Sequence, residues 1–180
     1  MQKLAGRLVA LNRFIMRSAK KGLPFIRTLR SLDHFEWGPE QQQAFDDLNK
    51  YLTKLTTLSK PSSSATLLLY LAASPTTVST MLVEEKEHEN KMKQFPIYFV
   101  SEALTRAKLN YSELEKIAYT VVIASRKLKH YFQAHRIKVL SVQPLEALFR
   151  NSEAIGRIRK WATELNEFVV DFEHRSAIKS

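Results

Sequence analysis

The hydrophobic pattern of this 180-residue chain changes its period once, and that change limits the folds open to it. Up to residue 55 apolar side chains recur at three- and four-residue intervals, as on amphipathic helices. Beyond Pro61-Ser62-Ser63-Ser64, the most linker-like stretch in the chain, continuous or alternating apolar runs of strand length take over. The pattern therefore calls for a helical segment over residues 1–60 and an α/β domain over residues 61–180, with the junction near residues 56–64.

In the first part, Leu4, Leu8, Leu11 and Ile15 make an apolar stripe on a helix over residues 1–21, with Lys3, Arg7, Arg17 and Lys21 towards another face. Gly22 is placed to end that helix and Pro24 to block its resumption. Residues 23–36 read as a connector containing Phe25 and the patch Asp33-His34-Phe35-Glu36. Gly38 followed by Pro39 is a strong helix start, predicting a helix over 39–55 that buries Phe45, Leu48, Leu52 and Leu55.

In the second part, Thr66–Leu71 is a continuous apolar run, expected to be a strand buried on both faces. Val78–Glu84 reads as a second strand, Glu85–Lys93 as a charged turn and Phe95–Val100 as a third strand. A long helix starts near Tyr111, where Ser112 and Glu115 have capping-box spacing. Its buried face is Leu114, Ala118, Val121, Val122, Ser125 and Leu128. A strand over Arg136–Ser141, a helix over 144–150, a helix over 153–166 around Trp161 and Leu165, and a strand over Phe168–Phe172 complete the order βββαβααβ.

Charge divides the chain at a similar place. The net charge is +10, and residues 1–31 carry eight Lys/Arg and no acid, leaving 20 basic and 18 acidic residues elsewhere. An Arg-rich amphipathic N-terminus of this kind has four readings: a transit peptide, a helix on an anionic membrane surface, a grip on a nucleic-acid backbone, or a solvated face. There is no cysteine, which excludes disulfide scaffolds and thiol chemistry. No apolar run approaches the ~18 residues of a membrane span. With no signal peptide either, the expectation is an intracellular protein of cytoplasm or nucleus, with no membrane partner.

Three strings carry a resemblance: Leu69-Tyr70-Leu71-Ala72-Ala73-Ser74, Asn110-Tyr111-Ser112-Glu113-Leu114-Glu115-Lys116 and Arg157-Ile158-Arg159-Lys160-Trp161-Ala162. Together with the element order they resemble the ribonuclease H-like part of Ty3/gypsy-type LTR retrotransposon Pol polyproteins, the plant elements above all. Phe35-Glu36-Trp37 with Ala44-Phe45 is similar to the segment just before that domain, and residues 1–8 to the thumb helix of the polymerase. The resemblance implies a mixed five-stranded sheet preceded by a thumb fragment and connector. It also implies contact between the thumb and an RNA–DNA hybrid or DNA duplex backbone through Gln2, Lys3, Gly6, Arg7, Arg13 and Arg17, with Gly6 permitting close backbone approach. Other expected partners are the remaining polymerase and nuclease domains of the polyprotein.

The same resemblance bears on catalysis. Ribonuclease H chemistry uses two divalent metals ~4 Å apart, held by carboxylates. Yet the chain has only Asp33, Asp46, Asp47 and Asp171, and none between residues 48 and 170. Where the family reads Tyr-Thr-Asp-Ala-Ser this chain has Tyr70-Leu71-Ala72-Ala73-Ser74, so Ala72 replaces the first Asp. Ile117 replaces the metal-binding Glu in Glu115-Lys116-Ile117-Ala118, and Val142 replaces the second Asp, with one residue deleted beside it. Glu115, two residues earlier on the helix, lies roughly 200° around the axis. The expectation is a degenerate domain with no catalytic residue and no metal or other cofactor, Mg²⁺ being needed only in an intact family member. The palm is absent as well, so no polymerase chemistry is expected.

Two rivals remain. One is ribonuclease H or RNA-directed DNA polymerase activity, as the family as a whole would have it. The other is a host-adopted protein-interaction scaffold. His34, His88, His130, His135 and His174 show no metal-ligand spacing, and His130 and His135 read as surface or capping groups. Trp161, Tyr70 and Tyr111 read as core aromatics rather than base-stacking platforms.

Overall fold

The computed structural model describes residues 2–30, 37–55, 57–151 and 156–175. Its centre is a five-stranded mixed sheet in the order β3-β2-β1-β4-β5. The strands are β1 (Leu67–Ala73), β2 (Thr77–His88), β3 (Lys91–Ala103), β4 (Ile137–Ser141) and β5 (Val170–His174). β1 is antiparallel to β2 and β2 to β3, whereas β1–β4 and β4–β5 are parallel.

One face of the sheet carries the main core. α4 (Glu113–Lys127) lies across β1 and β2, and α7 (Arg157–Leu165) packs beside it. Leu67, Leu69, Val78, Leu82 and Val139 from the strands meet Ala118, Val121, Val122, Trp161 and Leu165 from the helices. α4 begins as its sequence requires: Ser112 Oγ accepts the Glu115 amide and the Glu115 carboxylate accepts the Ser112 amide at 2.8 Å. Burying these apolar side chains supplies most of the folding free energy, at roughly 25 cal/mol per Å² removed from water. A short helix not expected from the pattern, α5 (Lys129–Ala134), continues α4 after Leu128. It buries Phe132, and α6 (Leu145–Arg150) follows β4.

The N-terminal helices cover the other face. A 3₁₀ turn (Asn12–Phe14) and α2 (Ser18–Arg30) pack on β3, where the Ala19 amide donates to Ser101 Oγ at 3.1 Å, and α1 (Gln2–Leu11) packs against α2. Alternation puts Ser101 on the face opposite Val100, which points into the core under α4. α3 (Pro39–Leu52) joins α2 through a second, smaller core of Ile15, Phe25 and Leu48, with Leu8, Leu11, Phe45 and Leu52 around it.

Several expectations change. The first helix does not end at Gly22, nor does Pro24 block it: both lie inside α2. The break comes earlier, at residues 12–17, where Arg17 takes a left-handed φ of 54°. Continuing the helix through Pro24 carries Phe25 into the second core, and that burial outweighs the hydrogen bond that proline removes. Leu55 lies beyond α3 and is exposed, because the helix stops at Leu52. β1 is fully buried only at Leu67 and Leu69, since its other face is half covered.

The charged segment Glu85–Lys93 is no loose turn. β2 and β3 continue through it as a two-stranded ribbon closed by Glu89-Asn90, both with left-handed φ (54° and 58°). Such a two-residue turn matches the twist of the flanking strands. The ribbon extends past the core, so both its faces are solvated and the apolar alternation that marks a strand is missing. The patch Asp33–Glu36 lies outside the described residues, as does most of the first turn expected for the helix at 153–166; its described part is α7. The last strand is shifted to Val170–His174.

Candidate nucleic-acid interface

Six N-terminal cations have described side chains: Arg7, Arg13, Arg17, Lys20, Lys21 and Arg27. None of them forms an ion pair among the described residues; every ion pair there lies between Glu84 and Glu173. Arg7, Arg13, Arg17, Lys20 and Arg27 are exposed. The Arg13 guanidinium sits 4.5 Å from the centre of the Phe14 ring, and Lys21 Nζ 4.3 Å from that of Tyr51. Both charges are thus braced by aromatic faces without being neutralised. Gln2 and Lys3 fall in the first turn of α1, and their side chains lie outside the described set. Gly6 is exposed, and a Cβ built there would meet nothing within 4 Å. Nothing among the described residues therefore demands glycine at this place.

Ala72, Ile117 and Val142 come to one end of the sheet. Ala72 stands two residues beyond Tyr70 in β1 and Val142 two beyond Leu140, and Tyr70 and Leu140 are partners in the parallel pair. Ile117 is in the second turn of α4, where the neighbouring Lys116 Nζ reaches the Pro75 carbonyl after β1 at 3.2 Å. These three side chains offer no oxygen to a metal. No group of three His, Asp or Glu among the described residues is arranged to hold one either. Glu115 is engaged elsewhere: besides capping α4, its Oε1 lies 3.2 Å from Arg157 Nη1.

Two arrangements were not legible from the pattern. The first is a network at the core edge. Lys108 Nζ donates to Glu102 at 2.8 Å and to Tyr119 Oη at 2.5 Å, and Tyr119 donates to Glu102 at 2.7 Å. Burial pushes the Glu102 carboxyl up, but the hydrogen bonds from Lys108 and Tyr119 and the charges of Lys108 and Lys127 outweigh it and hold the group below its ordinary value. The second is a cleft of about 280 Å³ over β1 and β2, on the face opposite α4, lined by Met16, Arg17, Tyr70, Ala72, Met81, Gln94 and Arg175 among others. Tyr70, read as a core aromatic, is half-buried on this cleft, with the Arg175 guanidinium 4.9 Å from its ring centre. Trp161 and Tyr111 do pack in the core, at 5.8 Å from one another. His135 closes α5 and contacts the Ala65 carbonyl through Nδ1 at 3.1 Å, and His130 is exposed.

A mixed sheet in the order 3-2-1-4-5, with the long helix following the third strand, defines a ribonuclease H-like fold. The model of the RNase H-like domain found in reverse transcriptase matches residues 37–139, and the chain belongs to this family. Transposon Tf2-3 polyprotein of Schizosaccharomyces pombe is 22% identical over 186 residues, covering 97% of this chain and 13% of its own length; the Tf2-4 polyprotein matches equally. The chain thus spans about an eighth of the length of the polyproteins it matches. Foamy viral protease-reverse transcriptase in complex with RNA/DNA hybrid superposes with a TM-score of 0.80 at 19% identity, over 99% of this chain and 25% of that one. The same enzyme in complex with dsDNA gives 0.78 at 19% identity, over 99% of this chain and 38% of that one. Among the described residues no helix is long and apolar enough to cross a membrane.

Proposed function

We propose that the chain is a non-catalytic, nucleic-acid-binding thumb and connection portion of a retrotransposon reverse transcriptase–ribonuclease H polyprotein. The observation that carries this reading is the set of N-terminal cations with no ion-pair partner among the described residues, on helices anchored to the sheet. Lysines and arginines held in this way attract a phosphate backbone without reading sequence. Arg7, Arg13 and Arg17 would supply the attraction, joined by Gln2, Lys3 and the close approach that Gly6 permits. The similar foamy viral protease-reverse transcriptase structures, in complex with RNA/DNA hybrid or dsDNA, support the same class of partner. The rest of the polyprotein would supply polymerase and nuclease chemistry and be the second partner of this portion.

Absence of hydrolysis follows from the apolar residues at Ala72, Ile117 and Val142, since two-metal cleavage needs carboxylates to hold both ions. Two measurements on the full chain test the reading. Binding to an RNA–DNA hybrid should fall steeply as salt is raised, and removal of residues 1–31 should abolish most of it. Incubation with hybrid and Mg²⁺ or Mn²⁺ should give no cleavage; cleavage lost in Glu115→Gln would refute the non-catalytic assignment.

A further inference from the structure

Along β4 and β5 the charges on the cleft face are matched in sequence. Arg136 Nε meets Asp171 at 3.1 Å, and one step along Lys138 Nζ meets Glu173 at 2.9 Å. At the same offset the next pair on this face is Leu140 and Arg175, so Arg175 meets no acid on β4 and has no ion-pair partner among the described residues. Its amide is tied to the Ser141 carbonyl at 3.0 Å, and its guanidinium lies over Tyr70 rather than against a carboxylate. Arg17 approaches the same cleft from the N-terminal helices and has no ion-pair partner among the described residues.

The polar groups between the two arginines are those an oxyanion needs. Gln94 Nε2 donates to Tyr70 Oη at 2.6 Å, which leaves the tyrosine's own proton free for another acceptor. Among the described residues no carboxylate lines the cleft; Glu85, which is not in the lining, accepts from Gln94 Nε2 at 3.3 Å. Ala72 contributes only a methyl group to the floor. The cavity, about 280 Å³, falls just short of the roughly 300–1,000 Å³ that encloses a whole small ligand. It suits one phosphate of a strand that runs on past both ends.

We infer that this cleft seats a backbone phosphodiester of a bound nucleic-acid strand between Arg17 and Arg175, with Tyr70 donating to it. The inference rests on the nucleic-acid-binding reading above and adds a contact on the sheet itself, separate from α1. Planar guanidinium groups pair with phosphate through two parallel N–H donors, which a lone lysine cannot do.

The test is anisotropy of a fluorescein-labelled RNA–DNA hybrid with the full chain over a salt series, each variant first matched to the parent by circular dichroism. Arg175→Ala should weaken binding roughly tenfold and lower the magnitude of the salt slope by about one. Ala72→Asp, which sets a carboxylate between the arginines, should weaken it as well, whereas Lys60→Ala, an exposed cation elsewhere, should leave it unchanged. Arg175→Ala behaving like Lys60→Ala overturns the cleft assignment. In that event a loss in Arg7→Ala/Arg13→Ala would leave the N-terminal reading standing, and a parent that binds no hybrid would sink both. Inorganic phosphate at matched ionic strength should not erase the Arg175-dependent difference; if it does, the cleft takes a free phosphate and the strand assignment fails.

Discussion

Gly6→Ala separates stability from binding at a single position. Gly6 lies inside α1, Gln2–Leu11, and a Cβ there meets nothing within 4 Å, so the methyl fits without a clash. Alanine in a helix interior is favoured over glycine by about 0.5–1 kcal/mol, because glycine loses more backbone freedom on folding. α1 is coupled to the rest of the fold through Leu8 and Leu11 in the second core, so the gain should register in the global transition. For a chain of this length that corresponds to a rise in melting temperature of about 1–4 °C.

Binding should move the opposite way. If glycine is present so that a sugar–phosphate track can approach the helix backbone, a methyl group pushes that track back and costs about one hydrogen bond. That is roughly 0.5–1.5 kcal/mol, or a two- to twelvefold weaker hybrid affinity. No charge changes, so the salt dependence should keep its slope. Thermal unfolding followed by circular dichroism and a hybrid titration by anisotropy measure the two effects on the same preparation. A variant that is more stable and binds as well as the parent would refute the role given to Gly6 and weaken the likeness of α1 to a duplex-tracking helix.

Two further outcomes concern stability. Glu102 titrates below the ordinary 4.5, so its contribution is present above that value and is lost as pH falls through the lowered one; urea unfolding of Glu102→Gln should therefore decline less than the parent's between neutral and acid pH, and parallel declines would contradict this. Gly156, at the start of α7, has φ 66° with open space around it; Gly156→Ala should cost about 1–3 kcal/mol through backbone strain alone, read as a lower melting temperature, and an unchanged one would count against the argument.

Local chemistry was the legible part of this fold. Gly38-Pro39 and the Ser112/Glu115 pair start their helices where the residues require, since each cap is settled within one turn of chain. The succession of strands and helices along the chain follows from the same local signals, whereas the pairing of β1 with β4 joins segments far apart in sequence. Gly22 and Pro24 misled for a tertiary reason: the helix that runs through them carries Phe25 into a small core with Leu48, which is distant in sequence. The ribbon at Glu85–Lys93 was hidden because solvation of both faces erases the period of two. At the candidate site, the N-terminal cations and the apolar residues at Ala72, Ile117 and Val142 were readable one residue at a time. The cleft was not, since Arg17, Tyr70, Gln94 and Arg175 come from four separate stretches of the chain that only the packing of the N-terminal segment on the sheet brings together.

The charge distribution links these parts. The α/β portion pairs its acids with its own cations, along β4–β5, between Arg126 and Glu164, and around Glu102. The N-terminal helices have no acid of their own through residue 31, and none of the described acids of the sheet reaches them. Packing an unneutralised segment against a folded domain costs self-repulsion, and salt can screen it but cannot remove it. A polyanion alongside those helices removes it by contact, releasing the counterions that otherwise would be held there. Hybrid binding should therefore raise the melting temperature most at low salt. The gain should shrink in parallel with affinity as salt increases, whereas a partner protein held through apolar surface would give a gain that salt leaves intact.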